Sequence, residues 1–323
     1  MDGLLISRYA DKERSGALNT WTGYEDIGHV FCGKTLTADE YYRVEDRYVD
    51  FGRDLFSRFE VEKLQVRALT IGEPLPSWLG FLRAGVVLSR ETSLLLVRQM
   101  LRYGNPSCSL VSPEGLSLSV ATDMYLSVEV PGELSVLEEL VDRSALRRDI
   151  ETIELPDSAD GTIDNRADSS FWESVRSATL KGEVAVLVCW GNGRWGQQWH
   201  LVGDGTVECL ADVISPGMAV VAMVGARIEW CPRATIIDRI SEQIGDEASV
   251  VVFNRPVVGT ELSFELFLGG IVLQDMESLP SGGELGWIEY PAGTEDGRAL
   301  CVVQADSSGD LVCRWDSDLN LVW

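Results

Sequence analysis

The chain has 323 residues, of which 51 are acidic and 27 are basic, so its formal net charge is −24 at pH 7. Nucleic acids and anionic membrane surfaces are bound through clustered lysine and arginine, and this acidic balance disfavours both as direct partners. Hydrophobic residues make up 45% of the chain, which is enough apolar material for the cores of roughly two domains of ~100–200 residues each.

Near the N-terminus, the segment 24–33 contains four side chains that can ligate a metal ion: Glu25, Asp26, His29 and Cys32. Zinc would need a further cysteine or histidine at comparable spacing, and the only other histidine in the chain is His200. We therefore expect a polar turn before a helix, with a buried Cys32, no metal and no cofactor.

A strong helical pattern follows. Thr37 and Glu40 match the capping box that begins many helices. Apolar residues then recur at spacings of three and four, which predicts an amphipathic helix with this buried stripe: Tyr41, Val44, Tyr48, Phe51, Leu55 and Phe59. We interpret the stripe as core packing. After a strand at 63–71, a second helix is expected between Ser89 as its N-cap and Gly104 as its stop.

The next predicted elements are three short strands and a helix, at 107–111, 116–120, 124–130 and 133–149. Residues 155–170 are polar, acidic and almost free of large apolar side chains, which is typical of a linker. The sequence therefore predicts an N-terminal α+β domain over 1–154, an acidic linker over 155–170, and a C-terminal α+β domain over 171–323.

The C-terminal domain contains two segments, 171–232 and 233–323, with the same predicted order of elements. Each has a helix, a strand, a variable loop, a strand, a tight glycine turn and a third strand, placed at 206–210 in one and 271–276 in the other. This order predicts repeated α-β-β-β units, although strands joined by glycine turns also resemble one another without duplication. A meander is expected over 285–323. The fold class is α+β, with antiparallel sheets each backed by one or more helices.

The variable loop of the first segment reads CWGNGRWGQQWH over residues 189–200. Tryptophan and arginine are the residue types most enriched at interaction hot spots. One hypothesis makes the loop a contact surface for a partner, formed by Asn192, Arg194, Trp195, Gln197 and His200. The alternative is that its aromatic residues cap the sheet and pack inside, and Trp199 is assigned to the core on this basis.

Acidic residues dominate the end of the chain. From Asp238 onward there are sixteen acidic residues, four arginines and no lysine. A negative field steers basic proteins and cations towards it, although net charge can also serve solubility alone. The predicted acidic contact surface consists of Glu261, Glu265, Asp275, Glu277, Glu284 and Glu289.

Seven scattered cysteines occur without a CxxC pair, several of them inside apolar runs, and we expect reduced, buried thiols in a cytoplasmic protein. The N-terminal segment carries an acid at position 2 and lacks a long apolar core, so no signal peptide is expected. The longest apolar stretch is too short to span a bilayer.

Three functional hypotheses follow. The favoured one is a non-catalytic, acidic, cytosolic binding or inhibitor protein of the immunity type, which neutralises a basic protein partner such as a toxin or nuclease. The second is a hydrolase-type enzyme that uses His29 or His200 with nearby acids, although neither GxSxG nor HExxH occurs. The third is an interaction scaffold of repeated α+β units, with Trp195 and Trp199 as anchors.

Overall fold

The computed structural model describes residues 2–8, 20–132, 134–149, 163–243, 249–254, 261–262, 264–267, 284–290, 299–313 and 315. Within these residues the chain forms six α-helices and several antiparallel sheets, which confirms the predicted α+β class. The chain divides into two compact units. Unit 1 contains Met1–Asp157, Gly193–Trp195 and Trp323, and unit 2 contains Ser158–Asn192 and Gly196–Val322.

Unit 1 is built on strands with these bounds: β1 (Asp2–Ser7), β2 (Val30–Phe31), β3 (Lys34–Thr35), β4 (Lys63–Thr70), β5 (Val87–Ser89), β6 (Ser107–Val111), β7 (Ser117–Ala121), β8 (Tyr125–Val130) and β9 (Arg147–Asp149). Seven of them form an antiparallel sheet in the order β5-β4-β6-β7-β8-β1-β9, and β2 pairs with β3 separately. Along β8 every second residue is buried, namely Leu126, Val128 and Val130. This period of two gives the sheet one apolar face.

Three helices belong to unit 1: α1 (Ala38–Arg58), α2 (Arg90–Tyr103) and α3 (Leu134–Ser144). The predicted capping box is confirmed, since Thr37 accepts the Glu40 N–H and the Glu40 side chain returns to the Thr37 N–H. The apolar stripe of α1 packs against α2 and α3. Helix α3 ends earlier than predicted because Ala145 has a φ of +56°, after which the chain forms β9.

Unit 2 contains the remaining strands: β10 (Val184–Cys189), β11 (Gln197–Val202), β12 (Ala219–Ala222), β13 (Glu229–Pro232), β14 (Ser249–Asn254), β15 (Glu261–Leu262), β16 (Phe264–Phe267), β17 (Glu284–Tyr290) and β18 (Leu300–Val303). They form two antiparallel sheets, in the orders β15-β11-β10-β12-β18 and β13-β17-β14-β16.

The helices of unit 2 are α4 (Ser169–Thr179), α5 (Val207–Val213) and α6 (Arg233–Gln243). Helices α4 and α5 supply Phe171, Val175, Val207 and Leu210 to a core that also contains the valines on one face of β10. Residue 163, within the predicted linker, is part of folded unit 2, because Ile163 is buried and its N–H donates to the Trp315 carbonyl.

The predicted strand at 206–210 is wrong, because these residues begin helix α5. Thr206 accepts the Gly203 N–H at 2.9 Å and closes a turn before the helix. Val207 and Leu210, three residues apart, then both reach the core, which a helix allows and a strand does not. The corresponding predicted strand at 271–276 lies outside the described residues.

The two C-terminal segments exchange strands. Strands β15 and β18 of segment 233–323 pair with β11 and β12, whereas β13 of segment 171–232 pairs with β17. The predicted meander over 285–323 is therefore wrong for its described strands, since β17 and β18 belong to different sheets. Strand β18 covers the edge of β12, where Val302 and Val303 are buried. The repeat is not confirmed.

Candidate functional site

The segment 189–200 contains the last residue of β10, the hairpin loop 190–196 with one turn of 3-10 helix, Arg194–Gly196, and the first residues of β11. Trp190 and Gly191 both donate their backbone N–H groups to the Gly196 carbonyl, at 2.8 and 3.0 Å. These two bonds close the loop, so its tip has a defined backbone.

The five predicted contact residues of this loop differ in exposure. Arg194 is exposed and the Trp195 side chain is 48% exposed, whereas Asn192 and His200 are half-buried. Gln197 is only 5% exposed, so its side chain does not reach the surface as a contact requires. A contact role for Arg194 and Trp195 stays a prediction, while the core assignment of Trp199 agrees with its exposure of 1%.

The hairpin separates the thiol and the imidazole that a Cys–His pair would need. Cys189 is opposite Gln197 in the ladder and His200 is opposite Val186. Because side chains alternate along a strand, Cys189 and His200 lie on opposite faces of the sheet. Burial also raises the pKa of the Cys189 thiol, which keeps it protonated and disfavours nucleophilic attack.

The segment 24–33 contains one turn of 3-10 helix, Tyr24–Asp26, followed by β2, and the predicted burial of Cys32 is wrong because this residue is exposed. The Asp26 carboxylate accepts the N–H groups of Thr22 and Gly23 at 2.6 and 3.2 Å, so it is occupied in closing the turn. His29 Nδ1 lies 3.8 Å from the other Asp26 oxygen. Across the described ranges, no group of three or more His, Cys, Asp or Glu residues is arranged to hold a metal ion.

The predicted acidic surface is spread over two sheets. Asp275 and Glu277 lie outside the described residues. Of the other four, Glu261 lies in β15 and Glu265 lies in β16, and β17 contains both Glu284 and Glu289. Positions 265 and 289 share a face because they are opposite Val252 and Val250 of β14. Position 284 falls on the other face of this sheet by strand alternation, and a contact role for these acidic residues stays a prediction.

Unit 1 contains a groove of about 370 Å³ that the sequence did not indicate. Three separate segments line it, namely 22–25, 100–104 and 120–124. We call it the tyrosine groove, because the rings of Tyr24 and Tyr103 line it with their centroids 5.5 Å apart. Tyr103 is 55% exposed, so the groove presents an aromatic ring to solvent.

Further aromatic rings hold Tyr24 in place. The Tyr41 ring meets Tyr24 edge-on at 5.4 Å and contacts Trp21 at 5.6 Å. Tyr41 is fully buried and its hydroxyl donates to the Leu101 carbonyl at 3.2 Å. A hydrogen bond with Tyr42 raises the pKa of the Tyr24 hydroxyl. The ring that lines the groove is therefore fixed by packing from α1 and hydrogen bonding.

A buried carboxylate lies beside this aromatic cluster. Glu45 has no solvent exposure, and it accepts hydrogen bonds from Arg102 Nε at 2.6 Å and Arg102 Nη2 at 2.8 Å. Arg98 Nε lies 3.2 Å from Glu45 as well. Hydrogen bonding to Glu45 raises the pKa of Arg102. The Arg102 guanidinium lies over the rings of Tyr42 and Tyr24, at 5.1 and 6.0 Å from their centroids.

Two exposed acidic residues complete the tyrosine groove. Glu25 lines it from the turn before β2, and Asp123 lines it from the connection between β7 and β8. Asp123 and Met124 are consecutive non-glycine residues with φ of +57° and +60°. Such conformations cost of order 1–3 kcal/mol each and occur often at functional sites. The groove therefore combines aromatic rings, carboxylates and a strained connection.

The groove was missed because its residues are far apart in sequence. Apolar spacing assigns Tyr41 to the stripe of α1, and alternation predicts one strand over 124–130, whereas Met124 belongs to the strained connection before β8. A run of tyrosines and arginines on the first turn of α1 and the last turn of α2 was the available signal, but only the fold brings the two turns together.

The described helices include none with both the length and the apolar composition needed to cross a membrane. Comparisons with protein-family models, with curated proteins and with solved structures found no match to this chain.

Proposed function

We propose that this protein is a non-catalytic, cytoplasmic binding protein that holds a basic protein partner through its negative charge. The observation that carries the proposal is the formal net charge of −24, with sixteen acidic residues against four arginines after position 237. A negative field of this size speeds the encounter with basic proteins and repels acidic ones. Neutralisation of a basic toxin or nuclease is the concrete form of this function.

Three of the seven thiols, those of Cys108, Cys189 and Cys301, are poorly suited to nucleophilic attack, whereas Cys32 and Cys209 are exposed. Burial raises the pKa of Cys108 to about 12 and that of Cys301 to about 11, so both remain protonated near neutral pH. Cys189 shares this state, and it faces away from His200. These three cysteines are therefore poor candidates for the nucleophile that a hydrolase would need.

The test measures binding of the full chain to purified basic nucleases and to acidic proteins of matched size. Biosensor titrations are run from about 0.02 M to about 0.5 M NaCl, a range over which the screening length shortens several-fold. We expect association with the basic proteins that weakens steeply with salt, and inhibition of those nucleases whose substrate sites are covered. Equal association with acidic and basic proteins, or none with either class at low salt, would refute the proposal.

A further inference from the structure

The tyrosine groove has the chemistry of a receptor for a cation. We propose that it binds the guanidinium group of an arginine side chain presented by the basic partner. This inference rests on the proposed function, and it identifies the place in unit 1 where such a partner is anchored.

The aromatic rings provide the stacking surface. A guanidinium is attracted to a tyrosine face when it lies within about 6 Å of the ring centroid. Arg102 already occupies such positions over Tyr42 and Tyr24, at 5.1 and 6.0 Å. Tyr103 contacts Tyr24 but remains 55% exposed, so it offers stacking area to a second guanidinium arriving from solvent.

The carboxylates select a cation over an anion. Arg102 lines the groove, but it forms a two-bond pair with the buried Glu45, so its charge is compensated inside the protein. Glu25 and Asp123 line the groove from different segments and are both exposed. The charges that face an incoming ligand therefore sum to a negative value, and carboxylates form strong, directional hydrogen bonds with a guanidinium fork.

The chemistry of the groove favours the side chain of arginine over that of lysine, and its backbone already holds one carboxylate before a ligand binds. A planar guanidinium can stack on a ring and bond to carboxylates at the same time, whereas an ammonium is a compact and more strongly hydrated charge. Asp123 and Met124 adopt left-handed conformations, which persist only where the surrounding structure holds them, and Asp123 carries one of the carboxylates. A site that is already ordered loses less entropy when its ligand binds.

The experiment uses the full chain and a short, capped peptide with one central arginine. Three matched peptides replace that arginine with lysine, with citrulline, which has the same shape without the charge, or with glutamate. Binding is followed by nuclear magnetic resonance through the signals of the groove residues. We expect the arginine peptide to bind best, the lysine peptide more weakly, and the citrulline and glutamate peptides to lose the interaction.

Variants of the groove test the assignment of residues. Asp123→Asn should weaken binding of the arginine peptide about tenfold, and Tyr103→Ala about fivefold, while Tyr103→Phe keeps the ring and the affinity. Asp54→Asn removes an exposed acid of α1 outside the groove and serves as the matched control. Unchanged circular dichroism and urea midpoints show that each variant is folded.

The outcomes separate this inference from the proposed function. If basic nucleases bind at low salt and the groove variants leave that binding and the peptide binding unchanged, the groove assignment fails and the proposed function stands. If the arginine peptide binds the groove but no basic protein binds the chain, the proposed function fails instead. Equal binding of arginine and citrulline, or preferred binding of glutamate, overturns the cation site.

Discussion

Glu45 is a fully buried carboxylate on the same face of α1 as the apolar residues Tyr41 and Tyr48. A charge in that position costs several kcal/mol unless it is paired and hydrogen-bonded. Arg98 and Arg102 provide the pairing from α2, and their own side chains are 34% and 27% exposed. The pair therefore fixes how α1 and α2 meet next to the tyrosine groove.

We predict that Glu45→Gln lowers the free energy of unfolding by about 2 kcal/mol. Loss of one partner of a buried pair typically costs ~3–5 kcal/mol, and the partial exposure of both arginines reduces the cost here. Urea unfolding at pH 7 measures the change. Asp54→Asn, an exposed substitution on the same helix, is the control and should leave the midpoint unchanged. Equal midpoints for both variants would show that the pair does not stabilise unit 1.

Asp168 is the N-cap of α4, and its carboxylate accepts hydrogen bonds from the Ser170 hydroxyl and from the N–H groups of Ser170 and Phe171. These bonds, the one from the Ser170 hydroxyl first, hold the pKa of Asp168 below its usual value. A carboxyl group whose pKa is lower in the folded state stabilises the fold above its unfolded pKa, near 3.9, and loses that contribution as the pH falls through the folded pKa.

Asp168→Ala should therefore lower the urea midpoint at pH 7, and the gap to the parent protein should close as the pH falls below about 4. Asp168→Asn should recover most of the loss at neutral pH, because an asparagine oxygen also accepts the N–H groups of the first turn. Midpoints taken from pH 7 down to about pH 3 test the sign. A gap that widens on acidification would contradict the capping role.

At the scale of elements, Gly286 allows two strands to place aromatic rings over a third. It pairs with Trp230 of β13 on one side and with Phe253 of β14 on the other, and those two rings contact edge-on with centroids 5.8 Å apart. A Cβ at position 286 would lie 2.5 Å from Phe253 Cε2 and 2.9 Å from Trp230 Cζ3. The glycine thus provides space for the pair across the middle strand.

Gly286→Ala should destabilise unit 2 by about 1–3 kcal/mol, since overpacking forces rings or backbone to shift. Urea unfolding and the near-ultraviolet circular dichroism of the tryptophans report the change. Gly203→Ala is the matched control, because nothing lies within 4 Å of a Cβ built at that glycine. Similar midpoints for the two alanine variants would argue against this packing.

Short stretches of sequence predicted those helices and caps that depend on residues close together in the chain. The Thr37 cap is encoded within one stretch of sequence and agrees with the structure. Four of the six predicted stripe residues of α1 are buried, whereas Val44 and Phe59 are half-buried. Residues 206–210 were misassigned because a short apolar run fits a strand or a helix, and only packing against β10 decides. The β12–β18 pairing joins residues about eighty positions apart, and the tyrosine groove joins three distant segments, so neither leaves a local pattern.

At the scale of the whole molecule, the net charge of −24 is a source of self-repulsion as well as of attraction for a partner. Among the described residues several ion pairs are exposed, such as Arg176 with Glu208 at 2.8 Å, with side chains 46% and 56% exposed. Exposed pairs contribute little to stability, so they do not offset the repulsion among the excess acids. A basic partner would relieve this repulsion, and so would dissolved salt.

We therefore predict that NaCl stabilises the isolated protein at pH 7. Raising NaCl from about 0.02 M to about 0.5 M shortens the screening length and should weaken the repulsion among the excess carboxylates more than it weakens exposed ion pairs such as Arg176–Glu208. The urea midpoint should rise accordingly. The same titration near the sequence pI of about 4.4 is the control, because there the net charge is close to zero and the salt effect should largely vanish. A midpoint that falls with salt at pH 7 would mean that attraction within ion pairs outweighs the repulsion among the excess acids. Binding of a basic partner would then not relieve charge repulsion in the protein.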